Sequence, residues 1–198
     1  MSSPRAGKAI RKTAETSVEV EITLDGTGQF QVDTGLGFFD HMLGQIAKHG
    51  VFDLVLRVVG DLNVDAHHTV EDAGLALGEA FAQALGDKAG IRRAGYAHMP
   101  LDESLAFAAV DIGGRPYCVA KLDLLGKELG EMPPDLLSHF LEAFSSALKA
   151  NLHVRTVAGV NDHHKAEAAF KALARALDMA CAIDPRREGD IPSTKGTL

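Results

Sequence analysis

HHTVE (67–71) and HHKAE (163–167) stand 96 residues apart, and each reads as the start of a long helix. In an α-helix, residues four apart share a face. His67 and Glu71 can therefore grip one metal, and so can His163 and Glu167. Adjacent residues point about 100° apart, because a helix has about 3.6 residues per turn. His68 and His164 are thus better placed to reach a different metal from their neighbours. All four histidines sit in a first turn, where the helix dipole disfavours imidazolium and keeps the rings able to ligate. The same dipole opposes a bound cation, and the two carboxylates offset this.

Working outward, each pair follows a helix that carries one more histidine. FFDHMLGQIAKH (38–49) has apolar residues at 38, 39, 42, 43, 46 and 47, a helical spacing, with Gly50 as the expected C-cap. LLSHFLEAFSSALKAN (136–151) is its counterpart, and His41 and His139 lie 98 apart. ETSVEVEITL (15–24) alternates as a strand, Asp25-Gly26 and Gly28 form a turn, and QFQVD (29–33) makes the return strand. VFDLVLRVVG (51–60) is a strand, and Asp65 caps a helix from about His67 to Leu85, ended by Gly86. In the second half, LAFAAVDI (105–112) and PYCVAKLDL (116–124) read as a hairpin around Gly113-Gly114. LHVRTVAG (152–159) is a strand, and Asn161 caps the helix from about His163 to Ile183. The order is β-β-α-β-α, twice, with the potential ligands in step, which signals an internal duplication. The expected fold is α+β, with two pseudo-symmetric halves and helices on one face of each mainly antiparallel sheet. Residues 1–92 form the first half with an amino-terminal arm, 93–185 the second half, and 186–198 a tail.

Two such helices meeting at a pseudo-twofold axis bind two metals. The expected division places His41, His67, Glu71 and His164 on one, and His139, His163, Glu167 and His68 on the other. Six imidazoles and two carboxylates suit a borderline divalent metal, and Mn, Fe, Co and Zn all fit. Four protein ligands on an octahedral ion leave two open positions, as catalysis requires.

Composition narrows the function classes. The chain has 198 residues, 46% hydrophobic, with a net charge of −7. That charge argues against broad binding to nucleic acid, so an anionic substrate must be held by a local basic cluster. The two cysteines, Cys118 and Cys181, are far apart and in no ligand spacing, which favours a reducing compartment. The start, MSSPRAGKAIRKTAETS, is basic but lacks the apolar run of a signal peptide, and no apolar run is long enough for a membrane helix. A cytoplasmic protein with no membrane partner is expected.

RKTAET (11–16), GFFDHML (37–43), DAHHTVED (65–72), IRRAGYAHMPLDESLA (91–106), GGRPY (113–117), SHFLEAF (138–144), GVNDHHKAEAAFKA (159–172) and PSTKG (192–196) carry a resemblance that covers nearly the whole chain. The sequence resembles the imidazoleglycerol-phosphate dehydratases, lyases of histidine biosynthesis. The resemblance implies two Mn²⁺ per active site held by the eight residues above, His67, His68, Glu71, His163, His164 and Glu167 among them serving catalysis. It implies a homo-oligomer of 24 subunits with active sites between subunits. It implies the reaction, too: imidazole glycerol phosphate to imidazole acetol phosphate and water. Two cations at the ring nitrogens would act as Lewis acids in the elimination. Glu15 matches the family's acid–base residue. Arg93, Arg115, Lys171, Ser193 and Lys195 match its phosphate-binding positions. Arg115 follows a glycine pair in a turn, where a guanidinium can offer a bidentate grip. The tail folds over bound phosphate in this reading. Gln45 and His49 follow His41 at four-residue intervals and line the substrate pocket, while His98 and His153 are structural.

Two other readings account for part of the pattern. A dinuclear phosphohydrolase explains metals and basic residues, but such sites carry more carboxylate than six imidazoles leave room for. A non-catalytic metal-stapled shell needs the metals and turns over no substrate.

Overall fold

The computed structural model describes residues 4–187 and 189–198, so the first three residues of the basic start and Glu188 of the tail lie outside the described residues. The first half contains β1 (Ala6–Lys12), β2 (Thr16–Thr23), β3 (Phe30–Asp33), α1 (Gly37–Gly50), β4 (Asp53–Gly60) and α2 (His67–Leu85). The second contains β5 (Ala94–Leu101), β6 (Ser104–Asp111), β7 (Tyr117–Lys121), α3 (Asp135–Leu148), β8 (Asn151–Ala158) and α4 (Asp162–Cys181). The duplicated α+β architecture stands, and each half gains an opening strand, β1 and β5, beyond the expected order.

Each half forms a four-stranded sheet, ordered β1-β2-β4-β3 and β5-β6-β8-β7. The expected β2–β3 and β6–β7 hairpins do not form. Instead β3 lies parallel to β4, and β7 parallel to β8. Each helix that follows, α1 or α3, is the crossover that a parallel pair requires. The remaining pairs are antiparallel.

Alternation sets the faces. On β2, Val18, Val20 and Ile22 point inward, while Glu19 and Glu21 face out. Helices cover the inner faces: α2 packs on β1 and β2, and α4 on β5 and β6. The two helical layers then pack across the halves, α2 on α3 and α1 on α4. Fully buried phenylalanines join them. Phe140 of α3 sits edge-to-face with Phe39 of α1 at 5.3 Å and stacks on Phe170 of α4 at 5.7 Å. Phe144 meets Phe81 of α2 at 5.4 Å. The apolar stripes read from the sequence thus face one shared core.

Local signals explain the helix ends. Asn161 is the N-cap of α4, its side chain accepting from the His164 N–H at 3.2 Å. Asp65 accepts from the His67 N–H at 2.8 Å and holds the start of α2, with Ala66 in the cap position. The expected cap at Gly50 moves by one residue: Val51, at φ 58°, takes the left-handed position. Gly50 is pressed against the Phe52 ring, where a Cβ would stand 2.3 Å from ring carbon.

β1 and β5 approach their helices through one glycine each. A Cβ on Gly7 would lie 2.0 Å from the Ala80 carbonyl oxygen, and one on Gly95 would lie 2.1 Å from that of Ala176. Backbone cannot yield as a side chain can. Gly95→Ala is expected to cost about 2–3 kcal/mol of stability, whereas Gly37→Ala, with nothing within 4 Å, stays within about 0.5 kcal/mol. Denaturant unfolding of both variants checks this, and an unchanged midpoint for Gly95→Ala would contradict the packing.

Candidate metal centre

Two ligand groups converge, and each draws on both halves. His163 and Glu167, a turn apart at the start of α4, meet His41 of α1. His67 and Glu71, a turn apart at the start of α2, meet His139 of α3. In each group the three ligand atoms lie within 4.8 Å of one another. The expected division of ligands is therefore corrected. His41 joins the His163–Glu167 pair and His139 the His67–Glu71 pair, because α1 packs on α4 and α3 on α2. For the same reason α2 and α4 do not meet as a pair across the pseudo-twofold.

In the first group, Glu167 Oε2 lies 2.9 Å from His41 Nε2 and 3.2 Å from His163 Nε2. Phe38 stands edge-on to the His163 ring at 5.2 Å and fixes its tilt. The Gln45 amide nitrogen lies 3.3 Å from His41 Nδ1. Lys171 donates to the other Glu167 oxygen at 2.6 Å. Burial pushes the Glu167 carboxyl up, but the hydrogen bonds from Lys171 and His41 outweigh it and hold it at about 2. His49 lies two turns beyond His41. Burial, with the nearby Lys171 charge, holds its imidazole below the usual value.

The second group is looser. His139 Nε2 is 3.6 Å from Glu71 Oε1, and the His67 and His139 rings stand 4.3 Å apart, 31° from parallel. His139 Nε2 is buried without any hydrogen-bond partner. An orphaned imidazole nitrogen beside a carboxylate and a second imidazole is a donor set that suits a divalent cation. The residues of this group fit a divalent metal, and the tighter first group fits another.

His68 and His164 turn away from both groups, as adjacent helical positions require. The Nδ1 atom of each is held by a carboxylate. Asp61 Oδ2 lies 3.0 Å from His68 Nδ1, with Glu15 Oε2 at 3.8 Å, and Glu103 Oε2 lies 2.8 Å from His164 Nδ1. The Asp61 hydrogen bond raises the His68 imidazole pKa, and the Glu103 hydrogen bond raises that of His164 and depresses its own. Carboxylate–histidine pairs of this kind fix the tautomer and leave Nε2 outward as a ligand. Neither Asp61 nor Glu103 was named from the sequence. Glu103 shares a turn position with Glu15, but the hairpins repeat at a different interval from the histidine helices, so the match shows only once strand register is known.

The basic residues fall in two places. Lys171 stands beside Glu167. Arg93, Arg115, Ser193 and Lys195 gather at the other end of the second half. Arg93 holds Asp111 in a two-point contact, at 2.6 and 3.0 Å, and donates to the Pro192 carbonyl at 2.9 Å. Arg115 is exposed in the turn after Gly114, which lies against Leu198 of the tail. The tail is built of short turns, Ser193 Oγ accepting from the Lys195 N–H at 3.2 Å. The His98 ring lies 4.8 Å from the Phe107 ring, tilted by 47°.

A depressed carboxyl is linked to stability. Glu167 titrates lower when folded than when unfolded, where about 4.3 is usual. Its contribution to the metal-free protein is therefore present above that value and lost as pH falls toward 2. Glu167→Gln is expected to flatten the pH dependence of unfolding over this window, measured by denaturant titration of metal-free protein. An identical slope in both proteins would count against the Lys171–Glu167–His41 network.

The comparisons agree with this geometry. The sequence model of the imidazoleglycerol-phosphate dehydratases matches residues 34–177. The imidazoleglycerol-phosphate dehydratase of Gluconacetobacter diazotrophicus is 52% identical over 198 residues, all of both chains. That of Roseiflexus sp. is 50% identical over 197 residues, 100% of this chain and 99% of its own. Among solved structures, the Pyrococcus furiosus enzyme superposes with a TM-score of 0.83 at 34% identity, covering 96% of this chain and 99% of that one. The Staphylococcus aureus enzyme gives 0.81 at 31% identity, covering 90% and 99%. The chain belongs to the imidazoleglycerol-phosphate dehydratase family.

Proposed function

We propose that the chain removes water from imidazole glycerol phosphate to give imidazole acetol phosphate, as a hydro-lyase of histidine biosynthesis. The observation that carries this is the pair of imidazole–carboxylate groups in a chain that matches the dehydratases end to end. Six imidazoles and two carboxylates suit Mn²⁺, and the family likeness favours it over Fe, Co or Zn.

His41, His163 and Glu167 would hold one cation and His67, Glu71 and His139 the other, with His68 and His164 completing sites. Cations bound there would supply Lewis acidity to the substrate's ring nitrogens, which eases loss of the ring N–H proton and so favours departure of the hydroxyl on the carbon attached to the ring. Glu15 is assigned to move the proton. Its carboxylate is exposed at the tip of the β1–β2 turn, 3.8 Å from His68 Nδ1. The hydroxyl on the ring-bearing carbon leaves with a proton as water, the next carbon gives up its C–H proton, and the resulting enol settles as the ketone. Gln45 and His49, on the His41 side of α1, are assigned to the substrate pocket.

Arg93, Arg115, Lys171, Ser193 and Lys195 are assigned to the phosphate. The Arg93 N–H donates to the carbonyl of Ala180, near the end of α4. At about 1.5 Å per residue, that is on the order of 25 Å from the histidines that open the helix. An arginine side chain cannot span this, so the arginines and tail of one chain serve metals held by another. This supports shared sites in a closed homo-oligomer, read here as 24 subunits. No described helix is long and apolar enough to cross a membrane. Cys118 and Cys181 are both free, which supports a reducing, cytoplasmic setting.

Incubation of the Mn²⁺-loaded protein with imidazole glycerol phosphate should yield the ketone. Release of inorganic phosphate instead would favour the phosphohydrolase. Arg115→Ala is expected to raise KM by about tenfold or more while changing kcat less. A fall in kcat alone would remove Arg115 from the phosphate site. Metal that bridges chains also links binding to assembly. A chelator should break the large oligomer into smaller ones and Mn²⁺ restore it, as sedimentation would show. An assembly that stays intact without metal would refute that linkage.

A further inference from the structure

The duplication supplies an internal comparison. Strand register makes Glu15 and Glu103 equivalent: Lys12 pairs with Ser17 around the first turn, and Pro100 with Leu105 around the second. Both glutamates are the second residue of a two-residue turn. Their surroundings differ. Glu103 is fully engaged. Its Oε2 accepts from His164 Nδ1 at 2.8 Å, and its Oε1 accepts from the N–H groups of Val160 and Asn161 at 3.2 and 2.9 Å. The Glu15 carboxylate makes no such bond among the described residues, because Asp61 holds His68 Nδ1 instead.

The difference has a source in the connections. Gly60 ends β4, and Gly159 comes directly after the last residue of the equivalent β8. A Cβ on the first would meet Thr69 and Thr16, and one on the second would meet the matching Lys165 and Ser104. The next residue is Asp61 in the first half and Val160 in the second. In the second half a short link brings the backbone N–H groups of Val160 and Asn161 onto Glu103. In the first half a longer link, DLNVDA (61–66), places a carboxylate on the histidine ring. The turn that carries Glu15 is meanwhile held from below. Arg11 Nε donates to buried Asp72 at 2.6 Å, and the Thr16 hydroxyl donates to the same carboxylate. The backbone of Glu15 is fixed while its carboxylate stays free.

We propose that Asp61 is a positioning residue that takes over the grip on His68 and so releases Glu15 for proton transfer, a task from which its counterpart Glu103 is barred by His164. The proposal rests on the acid–base reading of Glu15. With Asp61 removed, Glu15 should swing onto His68 Nδ1, as Glu103 already does on His164.

The test is Asp61→Ala in the Mn²⁺-loaded enzyme, alone and combined with Glu15→Gln. In the crystal structure of Asp61→Ala, a Glu15 carboxylate oxygen is expected within about 3 Å of His68 Nδ1. Bound metal and thermal unfolding should match the parent. The kcat should fall by about tenfold or more with KM within about twofold. Asp61→Asn, whose amide oxygen can still accept from Nδ1–H, should recover most of the rate. In the Glu15→Gln background, Asp61→Ala should cost less than about twofold, since a residue acting through Glu15 has nothing left to release. Loss of metal, full additivity of the two losses, or an unmoved Glu15 would each overturn the proposal. A Glu15→Gln enzyme with unchanged kcat would overturn the acid–base reading itself, and the crystal structure would still report whether Asp61 governs where Glu15 points.

Discussion

Two adjacent residues on a helix cannot face the same point, and this organises the whole molecule. With about 100° between them, the second histidine of each pair must look for a different partner from the first. His67 and His163 turn toward a glutamate one turn along. His68 and His164 turn toward carboxylates on the strand ends and hairpin turns. Each helix start therefore needs three other elements around it: a helix with a third imidazole, a turn with a carboxylate, and a strand end to close the gap. The two sheets exist, in this sense, to deliver hairpin turns to the helix starts. The glycines of β1 and β5 let those hairpins lie directly on the helix backbone.

How much of this was legible in the sequence follows the same physics. The four helices announced themselves, because each buries a wide apolar stripe, and Gly86 after α2 and Asn161 before α4 mark two of their ends. The repeat was plain because chemically conspicuous residues recur in step. β1 was invisible for a reason: it is an edge strand, AGKAIRK, whose Lys8 and Lys12 face out and whose glycine marks contact with a helix. β5, with Pro100 at its end, is disguised in the same way. The hairpins that seemed natural at Asp25-Gly26 and Gly113-Gly114 gave way to parallel pairing, since the long apolar strands β4 and β8 take the central place between two partners. The grouping of the metal ligands could not be read at all. It depends on which helix packs on which across the halves, and that is settled by phenylalanine packing rather than by any local pattern.

Charge is arranged with equal economy. The chain is acidic overall, and basic residues assigned to phosphate are already paired: Arg93 with Asp111, Lys171 with Glu167. Such pairs keep the side chains extended and limit the ordering cost of taking up an anion. Lys171 also keeps Glu167 ionised, so a basic residue and a carboxylate of one candidate metal group belong to one hydrogen-bonded unit.

Each ligand group takes one histidine from one half and a histidine–glutamate pair from the other. Neither half holds such a group by itself. A half-length ancestor could have gathered these ligands only as a dimer, with the occupied state sensitive to protein concentration. Joining the copies in one chain turned that encounter into an intramolecular event, with an effective concentration on the order of millimolar for a short linker. It also removed the symmetry that forces two copies to evolve together. Once Glu15 and Glu103 were encoded separately, one could be kept as scaffold while the other was left free. Fusion, on this view, made a site of two identical halves chemically lopsided.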